Sequence, residues 1–113
     1  MYLSINQVIA GVFQPYQFES VTVTDSATAL TASYYKDSGS VDTNAKRGAV
    51  RAVITVETAQ LRYRYDGSDP TSSVGHILNI GDVLVLVGPD ALANFRGIRT
   101  SGTNAVLRVT YER

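Results

Sequence analysis

The sequence offers few residues for nucleophilic catalysis. It contains one histidine, His76, and no cysteine. A serine triad would have to use His76 as its base, and no Gly-x-Ser-x-Gly elbow is present. His76 lies between a turn and an apolar run, a position typical of a structural hydrogen-bonding residue. We therefore predict that the chain is not an enzyme and has no catalytic residues, with a small hydrolase built around His76 as the weakest alternative.

Acidic side chains near two turns could supply oxygen ligands for calcium. Asp66, Asp69 and Asp82 are the residues concerned, because hard cations bind several oxygens. Their spacing does not match an EF-hand loop, and Asp and Gly also suit such turns for backbone reasons. The sequence therefore favours a turn without metal, and we predict neither a metal site nor a cofactor.

Seven tyrosines supply aromatic faces of the kind that stack on pyranose rings. Tryptophan, which is usually prominent in sugar-binding sites, is absent. Tyr63 and Tyr65 fall on the apolar side of their predicted strand, which favours core packing with the hydroxyls at the rim. A carbohydrate-binding β-sandwich module that recognises a host surface glycan remains the alternative function.

Eight of the ten basic residues are arginines. Arg62 and Arg64 share one face of a predicted strand. The strands that could pair nearby carry four further arginines, Arg51, Arg96, Arg99 and Arg108. The planar guanidinium suits bidentate ion pairs and subunit contacts. A solvated outer face with cross-strand pairs between arginines and carboxylates explains the same pattern equally well. Both interpretations stay open at the level of sequence.

Length and composition indicate one folded domain. The chain has 113 residues, of which 44% are hydrophobic and 18% are charged, so it can bury enough apolar surface to fold. Ten basic and ten acidic residues cancel, which leaves no long-range field toward phosphate backbones or anionic membranes. We therefore expect neither nucleic acid nor a membrane as a partner.

Period-two alternation of apolar and polar residues predicts the elements that carry these side chains. It is clearest in residues 49–57, 61–65 and 104–112. Weaker strand patterns cover residues 18–24, 29–35, 75–80 and 95–100, and a helical turn is predicted near Pro89 to Asn94. Seven or eight short strands separated by turns indicate an all-β fold with minimal helix. We predict a single-domain antiparallel β-sandwich, with a jelly roll as one possible form.

The segment Val83-Leu-Val-Leu-Val87 is apolar on both faces. On an exposed edge such a strand would seed aggregation. We therefore expect it in the middle of the sandwich or under a subunit interface.

Residues 1–17 precede the first predicted strand, and residues 18–113 form the predicted sandwich domain. The N-terminal segment is apolar, and the sequence requires no internal partner for it. It is therefore interpreted as an arm that pairs with the sheet edge of a neighbour. The interface candidates are Tyr2, Phe13 and Tyr16 from this segment, together with Arg62 and Arg64.

The order of several short motifs carries a resemblance to a known family. An Ala-Val-Ile-Thr-Val-Glu strand at 52–57 is followed by Leu-Arg-Tyr-Arg-Tyr-Asp-Gly-Ser-Asp-Pro-Thr-Ser-Ser-Val-Gly-His at 61–76. Gly-Asp-Val-Leu at 81–84, Asn-Phe-Arg-Gly-Ile-Arg-Thr at 94–100 and Leu-Arg-Val-Thr-Tyr-Glu at 107–112 complete the order. It resembles a family of small proteins encoded among the structural genes of tailed bacteriophages.

The resemblance implies a non-enzymatic virion structural protein, such as a capsid decoration or cement protein or a head or tail accessory protein. It also implies the protein's partners: further copies of the chain, with a trimer as the first choice and a dimer or monomer left open, and a phage capsid or tail protein. The place implied is the virion, after synthesis in the bacterial cytoplasm. Together with the zero net charge and the Val83 to Val87 strand, it makes assembly the leading predicted function.

Overall fold

The computed structural model describes residues 13–36 and 48–113, which form two antiparallel β-sheets packed face to face. The predicted all-β sandwich is confirmed. The strands are β1 (Pro15–Val23), β2 (Arg51–Glu57), β3 (Leu61–Arg64), β4 (His76–Leu78), β5 (Val83–Val87), β6 (Arg96–Arg99) and β7 (Ala105–Glu112). Two short helices are α1 (Ala32–Tyr35) and α2 (Pro89–Asn94).

The strand order is that of a jelly roll. The four-stranded sheet has the order β1-β7-β2-β5, and the three-stranded sheet has the order β4-β3-β6. A single antiparallel bridge joins Thr28 to Gly97 in β6. This bridge lies beside β6, at the edge of the second sheet. One more strand there, following β1 and preceding β2 in the sequence, would complete that sheet. The fold is therefore a jelly roll whose second strand is reduced to one bridge.

Alternation within the strands builds the core between the two sheets. In β7, every second residue from Ala105 to Tyr111 is completely buried, because successive side chains of a strand point to opposite faces. β2 pairs with β7 along its whole length and points Ala52, Ile54 and Val56 to the same side. Leu61, Leu92 and Phe95 close this core from the direction of the second sheet.

The N-terminal boundary and one predicted strand differ from the sequence expectation. β1 begins at Pro15, so the boundary predicted after residue 17 falls inside this strand. The strand predicted at 29–35 is wrong, because Ala32–Tyr35 forms a helical turn. The helical turn predicted near Pro89 is confirmed as α2, with Pro89 in its first turn.

Of the two placements predicted for the Val83–Val87 strand, the middle of the sandwich is wrong, and the subunit interface stays a prediction. β5 is the last strand of the four-stranded sheet, and β2 is its one strand partner among the described residues. No helix in the described part of the chain is long and apolar enough to cross a membrane.

Candidate interaction surfaces

An exposed row of valines runs along β5. Val83, Val85 and Val87 are 61%, 46% and 67% exposed, and we call these three residues the valine edge. The alternate residues Leu84 and Leu86 turn inward and pack with the core. Isolated exposed apolar residues are common on protein surfaces, but a contiguous row on an open sheet edge is a feature of interaction sites.

The backbone of the valine edge is also open. Gly88 donates its N–H to the Val50 carbonyl at 2.6 Å, which fixes the phase of the β2–β5 ladder. Because hydrogen-bonded pairs alternate along an antiparallel ladder, Leu84 and Leu86 direct their N–H and C=O groups toward β2. The corresponding groups of the valine edge therefore point away from the sheet, ready to pair with another strand.

The same sheet face also carries paired polar residues, beside the exposed Phe18. Arg51 bonds Glu112 directly across the strands, and the two residues are register partners. Arg108 donates to Glu57 at 3.2 Å from both Nε and one terminal nitrogen, and to Ser20 Oγ at 2.6 Å. The cross-strand contacts of Arg51 and Arg108 agree with the solvated-face interpretation, while a role of these arginines in a subunit contact stays a prediction.

Two of the predicted interface residues contact other parts of the same chain. The Arg51 guanidinium lies over the Phe13 ring, 4.1 Å from its centroid. Tyr16 donates its hydroxyl to the Tyr34 carbonyl at 2.8 Å. Tyr2 lies outside the described residues. Phe13 and Tyr16 thus belong to the sandwich, and a role of either residue in an assembly stays a prediction.

Arg62 fastens the loop between β3 and β4 onto β3. Its guanidinium donates to the carbonyls of Ser72 at 3.1 Å and Gly75 at 2.9 Å. Gly75 has a positive φ of 138°, and a Cβ there would lie 3.1 Å from the Tyr63 carbonyl oxygen, so the position requires glycine. Arg62, predicted as an interface residue, therefore has a structural role within the chain.

Arg64 forms an ion pair with Asp66 at the end of β3. The guanidinium donates to the two carboxylate oxygens at 3.1 and 2.5 Å. The same carboxylate accepts the Ser68 N–H at 3.2 Å. These hydrogen bonds hold the pKa of Asp66 below its usual value. Asp82 likewise accepts the Asn79 N–H at 2.7 Å, so both aspartates shape turns.

Three aromatic rings form a column that runs from the core to the surface. Phe95 is fully buried, and Tyr63 stacks on it with ring centroids 5.7 Å apart. Tyr65 stacks on Tyr63 at 6.1 Å and is 49% exposed. Partial burial raises the pKa of the Tyr63 hydroxyl, and the electrostatic effect of Tyr65 raises it by a smaller amount. His76 lies 5.3 Å from the Tyr63 ring and 6.2 Å from the Tyr65 ring.

A buried carboxylate under β1 was missed by the sequence reasoning. Glu19 is 8% exposed and accepts hydrogen bonds from the Tyr111 hydroxyl, the Thr31 N–H at 3.1 Å and the Thr31 hydroxyl at 2.6 Å. Burial, followed by the bond to Glu19, raises the pKa of Tyr111 far above that of a free tyrosine. The alternation of residues along the strand could have revealed it, because this alternation places Glu19 on the same side of β1 as Val21 and Val23.

No group of three or more potential metal ligands occurs in residues 13–36 and 48–113. Comparison with family models, curated proteins and solved structures gave no match to this chain. The features that remain for a functional argument are the valine edge and the aromatic column.

Proposed function

We propose that this chain is a non-catalytic structural protein that assembles with copies of itself through the valine edge. The observation that carries the proposal is the coincidence, on one strand, of exposed valine side chains and outward-pointing backbone groups. Neither feature is satisfied by a strand partner among the described residues. Adding a strand to this edge satisfies both at once.

The occupant that fits this edge is the same strand of a second copy. Placed antiparallel about a twofold axis at Val85, each Val83 lies opposite Val87 of the partner subunit. All three facing pairs are then hydrogen-bonding pairs, since each residue directs its N–H and C=O outward. The two four-stranded sheets become one continuous sheet of eight strands, with a row of valines across the junction. β5 carries no charge that would oppose its copy.

The opposite edge of the sheet is less suited to such pairing. β1 starts with a proline, which has no N–H to donate. Its register also shifts between Pro15 and Gln17, and irregularities of this kind protect edges from pairing. A closed trimer, the state expected from the family resemblance, would need β5 to pair with a different surface such as β1. The twofold contact instead predicts a dimer.

We also propose that the chain assembles on the virion of a tailed bacteriophage, as a capsid decoration or accessory protein. The support for this is the resemblance of the ordered motifs between residues 52 and 112. Jelly-roll domains occur in viral capsids and in lectins, which is an argument by analogy because one fold serves many functions. Mass spectrometry of purified virions of the encoding phage tests this part, and absence of the protein from them rejects it.

Self-assembly is tested by light scattering over a range of protein concentrations, with the wild type beside Val85→Lys. We expect the wild type to approach twice the monomer mass of 12.2 kDa. Val85→Lys should remain monomeric, because it places two lysines directly opposite each other. Phe18→Lys is the matched control: Phe18 is 56% exposed on β1, and its replacement should leave the dimer intact.

Three other outcomes of this experiment would contradict part of the proposal. A wild type that stays monomeric at all concentrations rejects self-assembly. A dimer that survives Val85→Lys moves the contact away from the valine edge. A trimer supports assembly and rejects the twofold pairing of β5.

A further inference from the structure

The aromatic column ends beside a cavity of about 360 Å³ that opens to solvent. It is lined by Arg64, Tyr65, Asp66 and His76. Small-molecule sites usually combine an apolar wall with a few fixed polar groups, at volumes that begin near 300 Å³. This cavity has both parts, and its lining comes from the end of β3, the turn that follows it and the start of β4.

The wall of the cavity is a supported aromatic ring. Tyr63 lies nearly parallel to both of its neighbours, at 23° to Phe95 and 27° to Tyr65. The three rings therefore form one stack, in which Phe95 is anchored in the core and Tyr65 is outermost. Tyr65 is 49% exposed and lines the cavity, so part of its ring is available for a ligand. An anchored ring loses little conformational freedom when a ligand stacks on it.

The polar groups of the cavity are held beside this ring. The pair between Arg64 and Asp66 is bidentate, so the two side chains fix each other. A guanidinium has five N–H donors, and two of them go to Asp66. The carboxylate has about four acceptor positions, and Arg64 and Ser68 occupy three. Donors and an acceptor therefore remain within one small area, and their charges cancel.

We infer that this cavity binds the face of a neutral pyranose ring. The apolar C–H face of the sugar would stack on Tyr65, while two adjacent hydroxyls would bond the Arg64–Asp66 pair, one accepting from the guanidinium and the other donating to the carboxylate. An anionic ligand is disfavoured, because the Arg64 charge is already neutralised by Asp66. The inference concerns a second site, which adjoins the valine edge: Tyr63 and Tyr65 also line a neighbouring cavity together with Val85 and Val87.

The test is a titration of isotope-labelled protein, followed by NMR, with methyl glycosides of glucose, galactose and N-acetylglucosamine. We expect shifts of the backbone signals of Tyr65, Ser68 and His76, with a dissociation constant of about 1 to 10 mM for the best sugar, as befits a ligand of this size on one ring. No shift with any of the three sugars overturns the inference.

Variants of the exposed ring separate stacking from incidental contact. Tyr65→Ala should weaken binding at least about tenfold, and Tyr65→Phe should keep it within about threefold, because stacking needs the ring and not the hydroxyl. Phe18→Ala is the control, since Phe18 is a similarly exposed aromatic residue on β1. Equal affinity in Tyr65→Ala and wild type, or equal losses in Tyr65→Ala and Phe18→Ala, would also overturn the inference.

Discussion

The two edges of the four-stranded sheet reverse the usual distribution of polar and apolar residues. At the β1 edge the Glu19 carboxylate is buried, and at the β5 edge Val83 and Val87 are more than 60% exposed. The difference follows from where each group finds its partner. Glu19 accepts three hydrogen bonds from Tyr111 and Thr31 of its own chain, whereas the valines have no strand beside them in the described part of the molecule.

The two edges of this sheet therefore contribute to different free energies, one to that of folding and the other to that of association. The β1 edge contributes to the stability of the monomer, since a buried polar group is tolerated only where it is hydrogen-bonded. The β5 edge contributes little to the monomer and is available for association. Substitutions at the two edges should therefore change different measurements, and the effects on unfolding should decrease from β1 to β5.

The largest effect is expected at Glu19. Glu19→Leu leaves the buried Tyr111 hydroxyl without its acceptor, and we expect a loss of about 2 kcal/mol in the free energy of unfolding, measured with urea. The double variant Glu19→Leu/Tyr111→Phe also removes the Tyr111 hydroxyl and should recover the part of the loss that comes from this group, while the Thr31 N–H and hydroxyl still lack their acceptor. Additive losses in the double variant would contradict this account.

Much of the fold could be predicted from the sequence because alternation is a local signal. β2 and β7 lie in the middle of the sheet, and their patterns alone indicate which residues are buried. The strand prediction for residues 29–35 was wrong because the local pattern of this segment is compatible with either a strand or a helical turn. Contacts distant in sequence decide it: Thr31 bonds Glu19, and the rings of Tyr34 and Tyr35 pack at 6.4 and 6.2 Å from that of Tyr111.

The interaction surfaces were harder to predict, since they depend on strand order. The apolar character of Val83 to Val87 was visible, but its position at an edge follows from the long-range pairing of β2 with both β5 and β7. Likewise, periodicity assigned Tyr63 and Tyr65 to the same side of the strand predicted at residues 61–65. Only the folded chain shows that Phe95 anchors them as a column that reaches the surface.

The second effect is a dependence of stability on alkaline pH that comes from the β1 edge. The pKa of Tyr111 is raised in the folded state above the value near 10 of an unfolded chain. Its contribution to stability is therefore complete below about pH 10 and is lost as the pH rises further, because the unfolded state then releases a proton that the folded state retains.

The slope from this one group approaches about 1.4 kcal/mol per pH unit above pH 10. Urea unfolding at pH 9, 10 and 11 should show a smaller decline in Tyr111→Phe than in the wild type, although the variant starts from a lower stability. Parallel declines in the two proteins would show that Tyr111 does not titrate differently in the folded and unfolded states.

The smallest effect is expected at the β5 edge. Val83→Thr keeps the shape of the side chain at a position that is 61% exposed. In dilute solution the free energy of unfolding should change by less than about 0.5 kcal/mol. The same substitution at the fully buried Val109 is the matched control and should cost about 2 kcal/mol, because it buries a hydroxyl. Equal costs at the two positions would mean that the valine edge is packed within the monomer, and the contrast between the two edges would then fail.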